Sequence, residues 1–258
     1  MPEGDTVYLS AKNMNLALAG GVLTRCDIRV PAFATVDLTG EPVHEVVSRG
    51  KHLLHRIGQS TIHSHLKMEG SWHLYRPGTK WRRPEWQARA ILATDDWVAV
   101  GFSLGLLEVV PTSAEDSVVG YLGPDLLGPN WDADVALANL IASPERAVGL
   151  ALLDQRVMAG LGNVYKNELC FLRGVLPTRP VGQVEHPEKM VDLAKRLITA
   201  NQDRSDRTTT GRLRGQSTWV YRREGQPCLR CGTAIQRGEL GEDSTSVRDT
   251  YWCPVCQR

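Results

Sequence analysis

A chain of 258 residues that is 42% hydrophobic and 23% charged has ordinary globular composition, which excludes a disordered or low-complexity polymer. Its length suits one or two domains with a sizeable core. No apolar run reaches the roughly 20 residues of a membrane span. The start Met1-Pro2-Glu3-Gly4-Asp5 lacks the basic-then-apolar pattern of a secretory leader, so no membrane association and a cytoplasmic location are expected.

The formal net charge of +1 hides an asymmetry. Residues 91–145 contain no Lys or Arg but nine acids: Asp95, Asp96, Glu108, Glu115, Asp116, Asp125, Asp132, Asp134 and Glu145. Between Arg204 and Arg237 the balance reverses, with eight arginines (204, 207, 212, 214, 222, 223, 230 and 237) against Asp206 and Glu224. A second basic stretch, Arg49 to Arg89, carries Trp72, Tyr75, Trp81 and Trp86 among its charges. Arginines with interleaved aromatics suit a phosphate backbone with exposed bases, although any one charge run also fits a solvated face.

In chain order, Val7–Ala19 has apolar residues at 7, 11, 14 and 18, a helical spacing stopped by Gly20-Gly21. From Val22 to about Val110 short β-branched and aromatic runs follow, among them Val43–Val47, Leu53–Ile57, Ser71–Tyr75, Ala88–Ala93 and Trp97–Phe102, which suggests a sandwich or barrel. The breaker-rich Gly123–Pro129 reads as a linker. Helical patterns then cover about Asp132–Ala142, Glu145–Met158, Asn163–Phe171 and Pro187–Ala200; Ser143-Pro144-Glu145 has the N-cap and first-turn proline that open the second. Asp203–Gly215, rich in Arg, Thr and Gly, reads as a flexible loop before a compact tail, Val220–Arg258.

That tail carries Cys228-x2-Cys231 and Cys253-x2-Cys256, 21 residues apart. Two thiolate pairs brought together by a hairpin make a four-sulfur site for one Zn²⁺. With every position taken by sulfur, the metal is structural, and its binding supplies folding energy to a short segment. Cys26 and Cys170 lie in apolar contexts and read as buried thiols. Upstream, Ala159-Gly160-Leu161-Gly162 joins two helical patterns, and Asn163 opens the second. A helix N-terminus reached through a glycine turn suits a phosphate oxygen, while an αα-corner by itself is more often packing.

Three distant segments agree on one resemblance. Pro2-Glu3-Gly4-Asp5, the run from Asp154-Gln155 to Glu168, and Arg248–Gln257 (RDTYWCPVCQ) together resemble the formamidopyrimidine-DNA glycosylase/endonuclease VIII family. The resemblance extends over essentially the whole chain, including Ser48-Arg49-Gly50-Lys51 and Leu122-Gly123-Pro124-Asp125. It implies an α+β fold: an N-terminal β-sandwich with a flanking helix (1–123), a helical helix–two-turn–helix domain (124–219) and a C-terminal zinc ribbon hairpin (220–258).

The resemblance also assigns roles. Pro2 is the nucleophile, Glu3 the proton donor that opens the sugar, and Lys51 the cation beside the scission point. Asn163 and Arg248 grip the kinked phosphates, with Arg248 assisting δ-elimination. The chemistry is sound on its own terms. Once Met1 is removed, Pro2 is a secondary amine whose pKa lies near the α-amino value of about 8, so it can attack C1′ of a deoxyribose and leave an iminium. An enzyme acting on a base must extrude it and fill the hole. His65–Gly70 matches the family's void-filling loop, which makes Met68 an apolar wedge flanked by Lys67 and Glu69; the competing reading of Met68 is a core strand residue.

Two departures stand out. Thr6 replaces a second Glu common in endonuclease VIII proteins, and Tyr121 stands where a DNA-contacting arginine is frequent. Ser103–Val109 holds no Arg-x-Phe insertion of the purine-specific branch, which favours oxidised pyrimidines as substrates. The expected activity is a bifunctional DNA glycosylase/AP lyase acting as a monomer on damaged DNA. The alternatives are an oxidised-purine glycosylase of the same family and a non-catalytic DNA-damage binder.

Overall fold

The computed structural model describes residues 2–212 and 214–258, and the chain divides into two compact units, one ending at Tyr121 and the other running from Leu122 to Arg258. Met1, whose removal the expected chemistry needs, lies outside the described residues, as does Leu213 of the 203–215 segment.

The first unit opens with α1 (Gly4–Leu18). The apolar spacing places Val7, Ala11, Met14 and Leu18 on one buried face, and Gly20 ends the helix at φ +81°, a conformation cheap only for glycine. Eight strands follow: β1 (Arg25–Ile28), β2 (Val43–Arg49), β3 (His52–Ile57), β4 (Ser60–His65), β5 (Ser71–Tyr75), β6 (Ala88–Ala93), β7 (Val98–Phe102) and β8 (Leu106–Pro111), and then a short α2 (Asp116–Val119). They pair antiparallel into two open sheets, ordered β1-β6-β7-β5 and β2-β3-β4-β8. Val46, Leu53, Ile57 and Ile62 of one sheet share a core with Ala90, Leu92 and Ala99 of the other and with the apolar face of α1. This is the expected sandwich with a flanking helix. Asn15 of α1 fixes the helix to the sheet by accepting the Val46 N–H at 2.7 Å.

The second unit contains α3 (Ala133–Ile141), α4 (Val148–Leu153), α5 (Asn163–Arg173), α6 (Pro187–Thr199) and the hairpin of β9 (Gln236–Leu240) and β10 (Arg248–Trp252). Asp132 caps α3, its carboxylate accepting the Asp134 and Val135 N–H groups at 3.0 Å each. The expectation of a helix over Glu145–Met158 is wrong at both ends. Ser143–Arg146 is a turn instead, because the carbonyls of Pro144 and Arg146 accept the N–H groups of Gly182 and Val181 from another segment. At the far end Asp154 turns extended, and its side chain accepts the Arg156 N–H at 2.9 Å, which starts a new turn. Leu140, Leu152, Leu169, Met190, Ala194 and Ile198 form the core of the helices. The cysteine tail has a smaller core of its own, in which Val220, Ile235 and Tyr251 pack on Phe171 of α5. No helix among the described residues is long and apolar enough to cross a membrane.

Candidate active site and metal centre

In the first unit, Pro2 and Glu3 form the approach to α1. Glu3 is fully buried and occupies the N-cap position, yet its side chain is not spent on capping the helix. Asp5, also buried, accepts the Thr6 N–H at 2.7 Å, so Thr6 takes part in first-turn geometry where a second carboxylate would otherwise stand. Lys51 lies in the turn joining β2 to β3, which Gly50 makes possible at φ +57°.

The 66–70 turn bears on the core-strand reading of Met68. Leu66 is buried as an anchor, and the Gly70 N–H closes the turn on the Leu66 carbonyl at 2.9 Å. Lys67 takes a left-handed φ of +53°, its N–H donating to His65 Nδ1 at 2.9 Å. Its stem covers Gly105 so closely that a Cβ there would sit 2.2 Å from Lys67 Cγ. Met68, at the tip, is 60% exposed. It is not a core strand residue.

Behind these lysines lies a cluster that the sequence reading missed. His52, His63 and His65 fall on adjacent strands, with His52 opposite His65 and His63 opposite Glu108. His63 Nδ1 bonds Glu108 Oε1 at 2.7 Å, His63 Nε2 bonds His52 Nδ1 at 2.6 Å, and His52 Nε2 bonds the Tyr121 hydroxyl at 3.1 Å. Burial, followed by the nearby His63, His65, Lys67 and Lys51, pushes the His52 imidazole down to about 3. Burial followed by Lys67 and Lys51 pushes His65 to about 4. Both rings are neutral at physiological pH.

In the second unit Gln155 organises the two-turn segment. Its amide donates to the carbonyls of Leu153 and Leu161 at 2.8 and 2.9 Å, and its oxygen accepts the Gly160 N–H at 3.1 Å. Gly160, at φ +116°, and the extended Gly162 then deliver the chain into α5. The side chain of Asn163 turns inward: it is 5% exposed and donates to the Asp249 carbonyl at 2.9 Å. Lys166, fully buried, donates to Thr250 Oγ1 at 2.7 Å, and Asn167 accepts the Tyr251 N–H at 2.7 Å. Three side chains on one face of α5 thus hold the backbone of β10. They place Asn163 one residue from the attachment of Arg248, which is exposed and donates to the Val247 carbonyl at 2.7 Å.

Glu168 holds another segment to the same helix. Completely buried, its carboxylate accepts from the Thr209 hydroxyl and from the N–H groups of Trp219, Val220 and Tyr221 at 2.7 to 2.9 Å. Part of the segment read as flexible is therefore fixed, since Thr208 and Thr209 also bond Asn201 and Ser217. Several arginines of the basic stretch have internal duties as well. Arg223 is buried against the carbonyls of Trp219 and Pro227. Arg237 pairs with Asp249, while Arg207 and Arg230 lie over the rings of Tyr165 and Phe171.

The sulfurs of Cys228, Cys231, Cys253 and Cys256 all lie within 4.8 Å of one another, with Cys231–Cys253 at 3.4 Å and Cys228–Cys256 at 4.0 Å. A tetrahedral site with metal–sulfur bonds of 2.3 Å has edges of about 3.8 Å. These four residues are close enough together to hold a metal ion. Cys170 is buried and Cys26 partly so, as expected of thiols outside the site.

The chain belongs to the formamidopyrimidine-DNA glycosylase family. Residues 1–103 match the model of the formamidopyrimidine-DNA glycosylase N-terminal domain, and residues 122–202 match that of the formamidopyrimidine-DNA glycosylase H2TH domain. Among curated relatives, it is 55% identical to "Probable endonuclease 8 2" of Streptomyces coelicolor, covering 100% of this chain and 94% of that one. It is 54% identical to "DNA-(apurinic or apyrimidinic site) lyase Nei2" of Mycolicibacterium smegmatis, over 100% and 99%. In fold it is similar to the Lactococcus lactis Fpg solved with DNA containing an abasic site (TM-score 0.82, 22% identity, 99% of each chain).

Proposed function

We propose that this chain is a bifunctional DNA glycosylase and AP lyase of base excision repair, acting on oxidised pyrimidines in damaged DNA. Relatives of 54 and 55% identity named as an AP lyase and as endonuclease 8 support the activity. The observation that carries the mechanism is Glu3, a carboxyl buried at the first turn of α1, beside Pro2, and not used as a helix cap.

With Met1 removed, the lone pair of the Pro2 nitrogen attacks C1′, the C1′–base bond breaks, and its electrons leave with the base, which takes up the proton that the Pro2 nitrogen sheds. Glu3 supplies the proton that opens the sugar ring, and the product is an iminium linking Pro2 to C1′. The positive end of the α1 dipole favours the uncharged, nucleophilic form of an amine placed there. The iminium acidifies C2′; loss of that proton expels the 3′ phosphate in β-elimination. Lys51 supplies positive charge near the scission point, Met68 with Lys67 fills the vacated stack, and Asn163 and Arg248 hold the phosphates, with Arg248 assisting δ-elimination.

The cysteine set would hold one Zn²⁺. Bound there, zinc supplies folding energy and no chemistry, because four thiolates leave no coordination position open. A reducing bacterial cytosol keeps such thiols available, and one copy of the chain suffices for the reaction.

Sodium borohydride reduction of a reaction on a thymine-glycol duplex should trap a covalent protein–DNA adduct, after intact mass has verified that Met1 is absent. Turnover by such material without any adduct would overturn the mechanism. Faster excision of 8-oxoguanine than of thymine glycol would assign the purine branch instead. Tight binding to abasic DNA without cleavage would mark a damage binder.

A further inference from the structure

We propose that the connection between β5 and β6, residues 76–87, is a further DNA-contacting surface, on which Lys80 and Arg82 neutralise backbone phosphates beside the lesion. The inference rests on the repair reading above and adds a phosphate-binding site to it.

Of the aromatics interleaved in this basic stretch, three are built into the fold. Trp72 and Tyr75 are buried, and Trp81 packs on Tyr75 and edge-on against Phe102, with ring centroids 6.5 and 5.8 Å apart. The next two residues are fastened as well. The Arg82 N–H donates to the Tyr75 hydroxyl at 3.1 Å. Arg83 Nη1 donates to the Glu69 carbonyl at 3.1 Å and to Ser71 Oγ at 3.4 Å. The connection is therefore held in place before any ligand arrives, and it loses little freedom on binding one.

The cations divide in the same way. Arg25 and Arg29 pair with Asp27, Arg29 also with Glu85, and Arg76 lies over the Trp97 ring at 3.9 Å. Lys80 and Arg82 are exposed and have no ion pair or side-chain hydrogen bond among the described residues. Both line one cleft together with Arg25 and Arg83, against one acid, Glu85, which Arg29 already holds. Two uncompensated cations on a fixed segment suit an anion of repeating charge. Arg83 indicates which anion, because the carbonyl it holds belongs to Glu69, the neighbour of Met68, and Met68 is assigned to the vacated stack. Lys80 is three residues from Arg83, at most about 11 Å of chain. Over that distance duplex DNA, with a charge every 1.7 Å or so of its axis, carries several phosphates. DNA that seats Met68 therefore brings its backbone to Lys80 and Arg82.

Affinity for an undamaged duplex, measured across a salt series, tests the site. For Lys80→Ala/Arg82→Ala the slope of log K against log salt should be shallower than wild type by about 1.8, at about 0.9 per phosphate. The variant binds more weakly at low salt, and the gap should narrow about tenfold over a fourfold rise in salt. Lys80→Arg/Arg82→Lys keeps both charges and should keep the wild-type slope. Both variants should unfold at the wild-type temperature, since the side chains are exposed. Mass spectrometry should find Lys80 protected from acetylation by N-hydroxysuccinimidyl acetate when the duplex is bound. An unchanged slope, or Lys80 acetylated equally with and without DNA, would overturn the proposal and leave an acidic protein as the partner of this cleft. The expected slope change in a protein that cleaves neither lesion nor abasic duplexes would support the surface while sinking the repair reading.

Discussion

Glu168→Gln removes one charge and one acceptor from a fully buried side chain of the second unit. The carboxylate takes four donors: Val220 and Tyr221 N–H on one oxygen, Trp219 N–H and the Thr209 hydroxyl on the other. A glutamine that keeps its oxygen toward Val220 and Tyr221 must turn its NH₂ toward the Trp219 N–H, donor against donor. The lost charge-assisted bond is worth about 1.5–3 kcal/mol, and the buried N–H left without a partner costs about 1–3 kcal/mol more. Against this, burial pushes the Glu168 carboxyl above its ordinary range, with its four donors opposing, so a neutral side chain recovers part of the desolvation cost. A net loss of about 2–4 kcal/mol remains, or roughly 6–12 °C in the unfolding temperature at about 3 °C per kcal/mol. Urea denaturation followed by near-ultraviolet circular dichroism measures it, and hydrogen exchange at residues 219–221 locates it. A change below about 0.5 kcal/mol would show that the bonds to Glu168 are not what fastens this segment.

Cys228→Ser should lose bound metal, read by atomic absorption, and DNA binding together; cleavage retained by a metal-free form would refute a structural role. Met68→Ala should leave stability within about 0.5 kcal/mol, as for other exposed positions, while slowing excision from duplex DNA; a large loss of stability would mean that the side chain packs in the core. Glu115 sits partly buried, and the Arg56 guanidinium with the Thr61 hydroxyl outweighs that burial to hold its carboxyl below the ordinary 4.5. A depressed carboxylate contributes stability above the ordinary value and loses it as pH falls through the lower folded one. Glu115→Gln should therefore cost about 1–3 kcal/mol at pH 7, a gap that closes on acidification; a difference independent of pH would contradict the ion pair.

The sequence was most legible where one local rule governs an element. The spacing in α1 and the cysteine pairs each carry their own explanation, and each falls where expected. Legibility fails where distant partners decide. Ser143-Pro144-Glu145 has every mark of a helix start, yet backbone bonds from residues 181 and 182 hold it as a turn. Strand β4 reads as Ser-Thr-Ile-His-Ser-His, without apolar alternation, because Thr61, His63 and Ser64 are buried polar groups satisfied by Glu115, Glu108 and Trp72. The histidine cluster was invisible for the same reason, since His52, His63 and Glu108 are far apart in the chain and meet across adjacent strands. The inward bond of Asn163 to Asp249 likewise could not be read from a single segment.

Every residue of α5 from Asn163 to Phe171 is buried, and two polar dockings, one to β10 and one to residues 209–221, leave from the same turns. A rod enclosed this way behaves like the hub of a wheel: a change at one spoke is felt at the other. A substitution in α5 that displaces Asn163 would also loosen β10, the strand that begins at Arg248.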